Sequence, residues 1–440
     1  MAGKRIVIGG GPDALRAAAV LATAGHAVTL LQGASSPSGR ERPTLPEGTG
    51  RLRVRPEARA LTEQVLGPLA AYPDVARGVA LRGTVRKLPL GPYEIPAMLA
   101  GAAVAPAAAS WVRARTRNAL LQLTGGGTEE RSYRDWVVRR MGLPAYDGLY
   151  RSYGERRWGL PGTELSVSAA RVFHGQADVG DTSMVAGGEA SAIEHASALI
   201  RQAGGEILTG VQIKRIRLNN GRVQAVEGSM GELEVEGPLW VARPPCVVVG
   251  WLGDQVDSGA HVDGQLLTCR AALQVSMRGE TQNLPHELHV LDDGAPFYRV
   301  VRPVGTDGLA VFHASMADGA ELPTPRLIAD RFIASATQLG LGAFDRDSIE
   351  VELLPEHMPL WGRVCHSRLR RTLLRYREWG VVGVGRRGAF AFLDPAEEIG
   401  LAAQYRDEES PDQREVHRAL VDPPVLVDDL GAHITRFVER

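Results

Sequence analysis

The stretch that decides the fold is Lys4–Gln32, KRIVIGGGPDALRAAAVLATAGHAVTLLQ. Ile6-Val7-Ile8 is a continuous apolar run, the pattern of a strand covered on both faces. An Ala- and Leu-rich helical run follows to Ala24, Gly25-His26 stops it, and Ala27–Leu31 reads as a second buried strand. This order predicts a βαβ unit, in which a crossover helix joins two parallel strands. Between the first strand and the helix stands Gly9-x-Gly11-x-x-Ala14, the dinucleotide fingerprint in the context that gives it meaning. Gly9 permits the tight turn, Gly11 lets the backbone approach a pyrophosphate, and Ala14 is small enough for the helix to pack closely on the strand. The helix start adds free N–H groups and the positive end of its dipole. After the second strand, where an acid is expected to accept from the ribose hydroxyls, the residue is Gln32. Exchanging a charged hydrogen bond for a neutral one weakens the contact by about 1 kcal/mol.

Outward from this unit, Gly33–Gly50 is rich in Ser, Gly, Pro and Arg and reads as a long loop. From Pro56 to Gly180 the pattern is mainly helical, and Ser132-x-x-Asp135 resembles a capping box. Ala190–Ala203 is an amphipathic helix, and Glu206–Val226 alternates as strands around Asn220-Gly221, a strong hairpin signal. Residues 238–252 read as a buried strand and its exit loop, and Leu266–Ala314 as an antiparallel sheet. Trp379–Val384 is a short buried strand ending at Gly385-Arg386, and Pro395 opens a helix through Ala403. Two interleaved domains fit this order better than two consecutive ones.

The chain has 440 residues, enough for two or three domains, and 50 Lys+Arg against 51 Asp+Glu leave a net charge of -1. That balance argues against a nucleic-acid partner. Cys246, Cys269 and Cys365 are an odd number with no CxxC pair, so neither a disulfide scaffold nor a structural metal site is expected. The N-terminus lacks an apolar secretory segment, and the expected location is cytoplasmic. Ile95–Val112 carries no charge, but Pro96, Pro106 and its many Ala and Gly residues favour a buried or interfacial helix, with peripheral membrane contact as the alternative.

Five pieces occur in the order of a known family: the opening βαβ stretch, Ser38-Gly39-Arg40, YGERRWGLPGTELSVSAARV from Tyr153, GGEASAIEHASALIRQAGGEILTGVQIKRI from Gly187, and VGVGRRGAFAFLDPAEEIGLAA from Val382. Together they resemble the two-domain FAD-dependent flavoproteins of the amine oxidase and protoporphyrinogen oxidase type, which are similar in pattern to UDP-galactopyranose mutase. The resemblance implies an α/β fold in which a Rossmann-like, glutathione-reductase-type FAD-binding domain (1–75, 185–255 and 356–405) interleaves with a substrate domain of antiparallel sheet plus helices (76–184 and 256–355). A C-terminal extension, 406–440, follows. The resemblance implies FAD as cofactor, with Gly9, Gly11 and Ala14 at its pyrophosphate, Gln32 at the ribose position and Arg40 reaching the phosphates. It places the Val211 backbone at the adenine, Gly385-Arg386 beside the pyrophosphate, and the helix after Pro395 with its N-terminus toward the isoalloxazine. Tyr153, Arg156 and Trp158 fall where the family folds its substrate domain over the flavin. Arg299, on an expected strand, needs an anionic partner if buried, either a substrate carboxylate or a structural acid. The chain departs from the family pattern at Gln32, Ser38, Arg156 and Asp394-Pro395-Ala396, and in Arg51–Arg55.

The function expected from this resemblance is transfer of a hydride from a small organic substrate, of amine, porphyrinogen or C–C desaturation type, to flavin. Two alternatives stand beside it: a non-redox flavin-dependent mutase or transferase acting on a sugar nucleotide, and a degenerate member serving as a non-catalytic interaction protein.

Overall fold

The computed structural model describes residues 3–33, 52–73, 76–88, 98, 104–123, 131–174, 181–316 and 320–406. Ser38, Arg40, most of the 95–103 stretch and the tail from residue 407 lie outside the described residues.

The opening βαβ unit forms as its pattern predicts. Strands Lys4–Ile8 and Ala27–Leu31 pair in parallel, joined by the helix Pro12–Thr23. They sit in a five-stranded, all-parallel sheet in the order Val381–Gly383, Leu239–Val241, Lys4–Ile8, Ala27–Leu31, Glu206–Leu208. Strands distant in sequence thus meet in one sheet. Helices Pro12–Thr23, Gly188–Gln202, Cys365–Trp379 and Pro395–Tyr405 contribute side chains to the core packed against this sheet. Asn220 and Gly221 turn with φ of 50° and 77°, so Ile213–Asn219 and Arg222–Gly228 form the expected hairpin, and Gly231–Glu234 adds a third strand.

A second sheet of seven strands runs in the order Glu350–Pro359, Cys269–Arg278, Leu309–Ser315, Arg299–Val301, Glu287–Val290, Arg77–Leu81, Thr84–Lys87. It is antiparallel except where Glu287–Val290 pairs in parallel with Arg77–Leu81. One face packs Val275, Leu288, Val300 and Phe312 into an apolar core with Phe297 and Phe332. A separate cluster of Tyr133, Tyr146, Tyr150, Tyr153, Trp158 and Tyr298 forms among the helices Tyr133–Met141 and Arg151–Trp158 and their neighbours.

Three expectations need correction. The described part of the region from Pro56 to Gly180 is mainly helical, but strands Leu69–Ala71, Arg77–Leu81 and Thr84–Lys87, which the sequence reading did not anticipate, also lie within it. Runs this short show too few turns of any period to be told from loop. Residues 245–252 form a helix, Pro245–Leu252, rather than an exit loop: every position in VVVGWL is apolar or glycine, so periodicity is silent, and Pro245 begins the helix. Ser132 caps the helix Tyr133–Met141 by accepting the Asp135 N–H, while a capping box with both halves stands at Asp394 and Glu397. Among the described residues no helix is long and apolar enough to cross a membrane. Val104–Leu123, which begins in the charge-free stretch, goes on to carry Arg113, Arg115 and Arg117.

Candidate cofactor and substrate site

Gly9 closes the first strand onto the next, its N–H donating to the Leu31 carbonyl at 3.0 Å. A Cβ on Gly9 would lie 2.6 Å from Ala14 Cβ and 2.9 Å from Ala242 Cβ, so a side chain here would prise helix from sheet. Gly11 is the N-cap of the helix Pro12–Thr23, with an ordinary extended φ of -122°. Its bareness matters for space: a Cβ would lie 2.5 Å from Arg387 Nη2 and 2.7 Å from Asp13 Oδ1. Two charged groups of the chain itself therefore occupy the space over the turn.

Asp13 and Arg387 form a bidentate pair, Nε to Oδ2 at 3.0 Å and Nη2 to Oδ1 at 2.5 Å. Asp13 Oδ1 also accepts the Ala14 N–H at 3.0 Å, so it holds one of the donors that the helix start would offer an anion. Burial works against the Asp13 charge, but Arg387 and then Arg16 outweigh it and hold the carboxyl below its ordinary range. Behind this pair, Arg16 Nη2 meets Glu398 Oε2 at 2.5 Å, and the Arg386 N–H donates to Glu398 Oε1 at 3.2 Å. Around the turn the Arg16 and Arg387 guanidinium groups face the Glu398 and Asp13 carboxylates, with Glu189 also close enough to act on Arg16. The Arg386 guanidinium turns away to the Leu393 carbonyl at 3.3 Å, and its neighbour Arg387 is the one that covers Gly11.

The other expected cofactor contacts are also engaged within the chain. The Gln32 N–H donates to the Leu208 carbonyl at 2.8 Å, and the Val211 N–H donates to the Gln32 carbonyl at 2.9 Å. The helix Pro395–Tyr405 begins with Asp394 Oδ1 accepting the Glu397 N–H at 2.9 Å and Glu397 Oε2 accepting the Asp394 N–H at 2.8 Å. With Glu398 also in its first turn, three acids answer the positive end of that dipole.

A dinucleotide diphosphate needs bare backbone, N–H donors and positive charge. The turn has bare backbone at Gly9 and Gly11 and a guanidinium in Arg387, which together with Asp13 Oδ1 covers Gly11. The Asp13 and Glu398 carboxylates oppose an anion there.

On the substrate side, cross-strand register sets Glu352, Gln274, His313, Arg299 and His289 beside one another across five strands of the seven-stranded sheet. They lie on the face opposite the Phe312 core, because alternate residues of a strand point to opposite sides. Arg299 Nη2 meets Glu287 Oε1 at 2.8 Å, with Arg77 at 3.9 Å from the same carboxylate, so the acidic partner of Arg299 is structural. Burial raises the Glu287 carboxyl, but Arg299, His289 and Arg77 carry it down to about 2. Burial takes His289 down to about 3, and it also holds His313 well below its ordinary value, so both rings are neutral at pH 7. Gln274 is 0% exposed with neither amide atom hydrogen-bonded, and His313 Nε2 likewise has no partner among the described residues.

The helix Arg151–Trp158 lies against this face. Tyr153 OH bonds to His289 Nδ1 at 3.0 Å and accepts from Arg157 Nη1 at 2.9 Å, and burial raises its phenol to about 12. Arg156 donates to the carbonyls of Val290, Ala295 and Phe297 at 2.9 to 3.0 Å, which ties the helix to the sheet. Trp158 is fully buried edge-on to Phe392, with ring centroids 4.9 Å apart. A cavity of about 340 Å³ opens here, lined by Ser152, Glu155, Arg156, Arg270, Tyr298 and Ser315 among others. Of the four substrate candidates, the structure puts Arg156 at a cavity wall, Tyr153 and Trp158 in the packing behind it, and Arg299 in the buried row.

The arrangement of a parallel sheet whose strands interleave in sequence with a large antiparallel sheet is one that this chain shares with several solved structures. Among solved structures, the chain is similar to reduced UDP-galactopyranose mutase, with 16% identity, 94% of this chain and 98% of that one covered, and a TM-score of 0.72. It is similar also to a putative protoporphyrinogen oxidase from Exiguobacterium sp. 255-15, with 13% identity over 92% and 98% of the two chains and a TM-score of 0.63. Putrescine oxidase bound to putrescine gives 14% identity over 92% and 98%, with a TM-score of 0.57. At these identities the likeness is one of fold. No family model matches the sequence, and no curated protein matches it.

Sequence reasoning passed over Asp13, Arg387 and the gathering of Arg299 with Gln274, His313 and His289 in one row. Asp13 stands at an unconstrained x of the fingerprint, and Arg387 is the second of two adjacent arginines. A charge inside the fingerprint was the available signal.

Proposed function

We propose that this chain is an FAD-dependent oxidoreductase acting on a small organic substrate of amine, porphyrinogen or C–C desaturation type. FAD, when bound, supplies the hydride acceptor. Gly9 and Gly11 leave the turn bare for the diphosphate, and Arg387 supplies a bidentate donor suited to phosphate. On the substrate side, the cavity lined by Arg156, Tyr298 and Ser315 offers hydrogen-bonding groups to a substrate, and the packing of Tyr153 and Trp158 excludes water behind it. The observation that carries this reading is the arginine over bare Gly11 at the start of the first helix of a parallel sheet. Filling the space over the turn tests it. Gly11→Val is expected to abolish FAD uptake while far-UV circular dichroism stays native, and full flavin occupancy of the variant would contradict it.

A non-redox mutase is the second reading, favoured by the TM-score of 0.72 to UDP-galactopyranose mutase. Activity that appears only after prior flavin reduction, with no net oxidation of substrate, would select it.

A further inference from the structure

The fingerprint needs small residues at positions 9, 11 and 14 and asks nothing of position 13, yet here that position carries a carboxylate. Asp13 is only 8% exposed, and its Oδ1 takes both the Ala14 N–H and the guanidinium of Arg387. The contact is built into the backbone: Gly385 has φ of 67°, a conformation that favours glycine, and a Cβ on it would lie 2.6 Å from Asp13 Cβ. Close approach of that turn to Asp13 is what brings Arg387 over Gly11. An incoming diphosphate needs the same donor and the same space.

We propose that Arg387 is a two-position ligand, held by Asp13 in the free protein and transferred to the cofactor diphosphate on binding, so that Asp13 acts as an internal competitor that sets FAD affinity. The inference rests on the FAD reading above. A guanidinium fork fits a carboxylate and a phosphate by the same bidentate geometry, so the exchange keeps its hydrogen bonds and changes only its anion. The Asp13 carboxylate is left beside the new anion, with Arg16 as its remaining nearby cation. On this proposal the Asp13 carboxylate weakens FAD uptake, and replacing it removes that effect.

Asp13→Asn keeps the side-chain volume and an acceptor for the Ala14 N–H but removes the competing charge. Titrating FAD into the cofactor-free full chain should show this variant binding about tenfold more tightly than wild type, as expected for a charged hydrogen-bond competitor removed. Arg387→Met should weaken FAD by at least about tenfold, because the diphosphate then loses its guanidinium donor while the Asp13 carboxylate stays beside it. An Asp13→Asn variant that binds FAD no better than a wild type that does bind it would overturn the exchange while leaving the FAD reading standing. If neither binds FAD, both fall together. Binding by the variant alone would support the exchange in its strongest form. A second measurement uses wild type and does not depend on the variant's folding. The Arg387 side-chain Nε–H resonance, assigned by its loss in Arg387→Lys, should shift when FAD is added, and an unmoved resonance in FAD-bound protein would overturn the proposal.

Discussion

A single carbon at position 11 separates a turn that admits an anion from one that cannot. Gly11 has an extended φ of -122°, so substitution there costs space and not backbone strain. A branched side chain would press on both members of the Asp13–Arg387 pair, and Gly11→Val should therefore lower stability by about 1 to 3 kcal/mol, as overpacking does, besides losing cofactor. Thermal unfolding beside an FAD titration reads both effects. Arg156 behaves differently from what its place in YGERRWG suggests. Its guanidinium is divided among three carbonyls, a task no lysine can match in geometry, so Arg156→Lys should destabilise by about 2 to 4 kcal/mol in denaturant unfolding. A variant with native stability and a changed KM would instead make Arg156 a substrate ligand.

Elements whose signal is local were legible in the sequence. The Gly9–Gly11 turn, the Asn220-Gly221 hairpin and the proline-led helix at Pro395 each announce themselves within a few residues. Arg77–Leu81 did not, because five residues flanked by turn formers carry no period, and its parallel partner Glu287–Val290 lies some two hundred residues away. The polar row was hidden for a related reason. Gln274, His313, Arg299 and His289 become neighbours only through strand register, which no single strand encodes. That row predicts an acid response. His289 and His313 both titrate below their ordinary 6.5 in the folded chain, so the unfolded chain binds more protons as pH falls and stability is lost below that value. Each contributes about 1.4 kcal/mol per pH unit. Glu287, depressed from 4.5 to about 2, adds a further loss below 4.5. Urea unfolding at a series of pH values should thus show stability falling from about pH 6.5, with a shallower slope in His289→Gln. An unchanged slope would mean that His289 is protonated in the fold.

At the scale of the whole molecule, two sheets of different character are threaded through one another by the chain. At Asp13, at Val211 and at Asp394, donors that face the expected cofactor are already answered by the chain's own acceptors. If FAD binds as proposed, each of these bonds that it displaces lowers its affinity below what an open cradle would give. The measurement that tests this most directly is a visible-absorption titration of the purified full-length chain with FAD. Saturable binding that perturbs the flavin bands, released by dialysis, is the expected result, whereas a chain that stays colourless and leaves the added FAD spectrum unchanged, in wild type and Asp13→Asn alike, would contradict it.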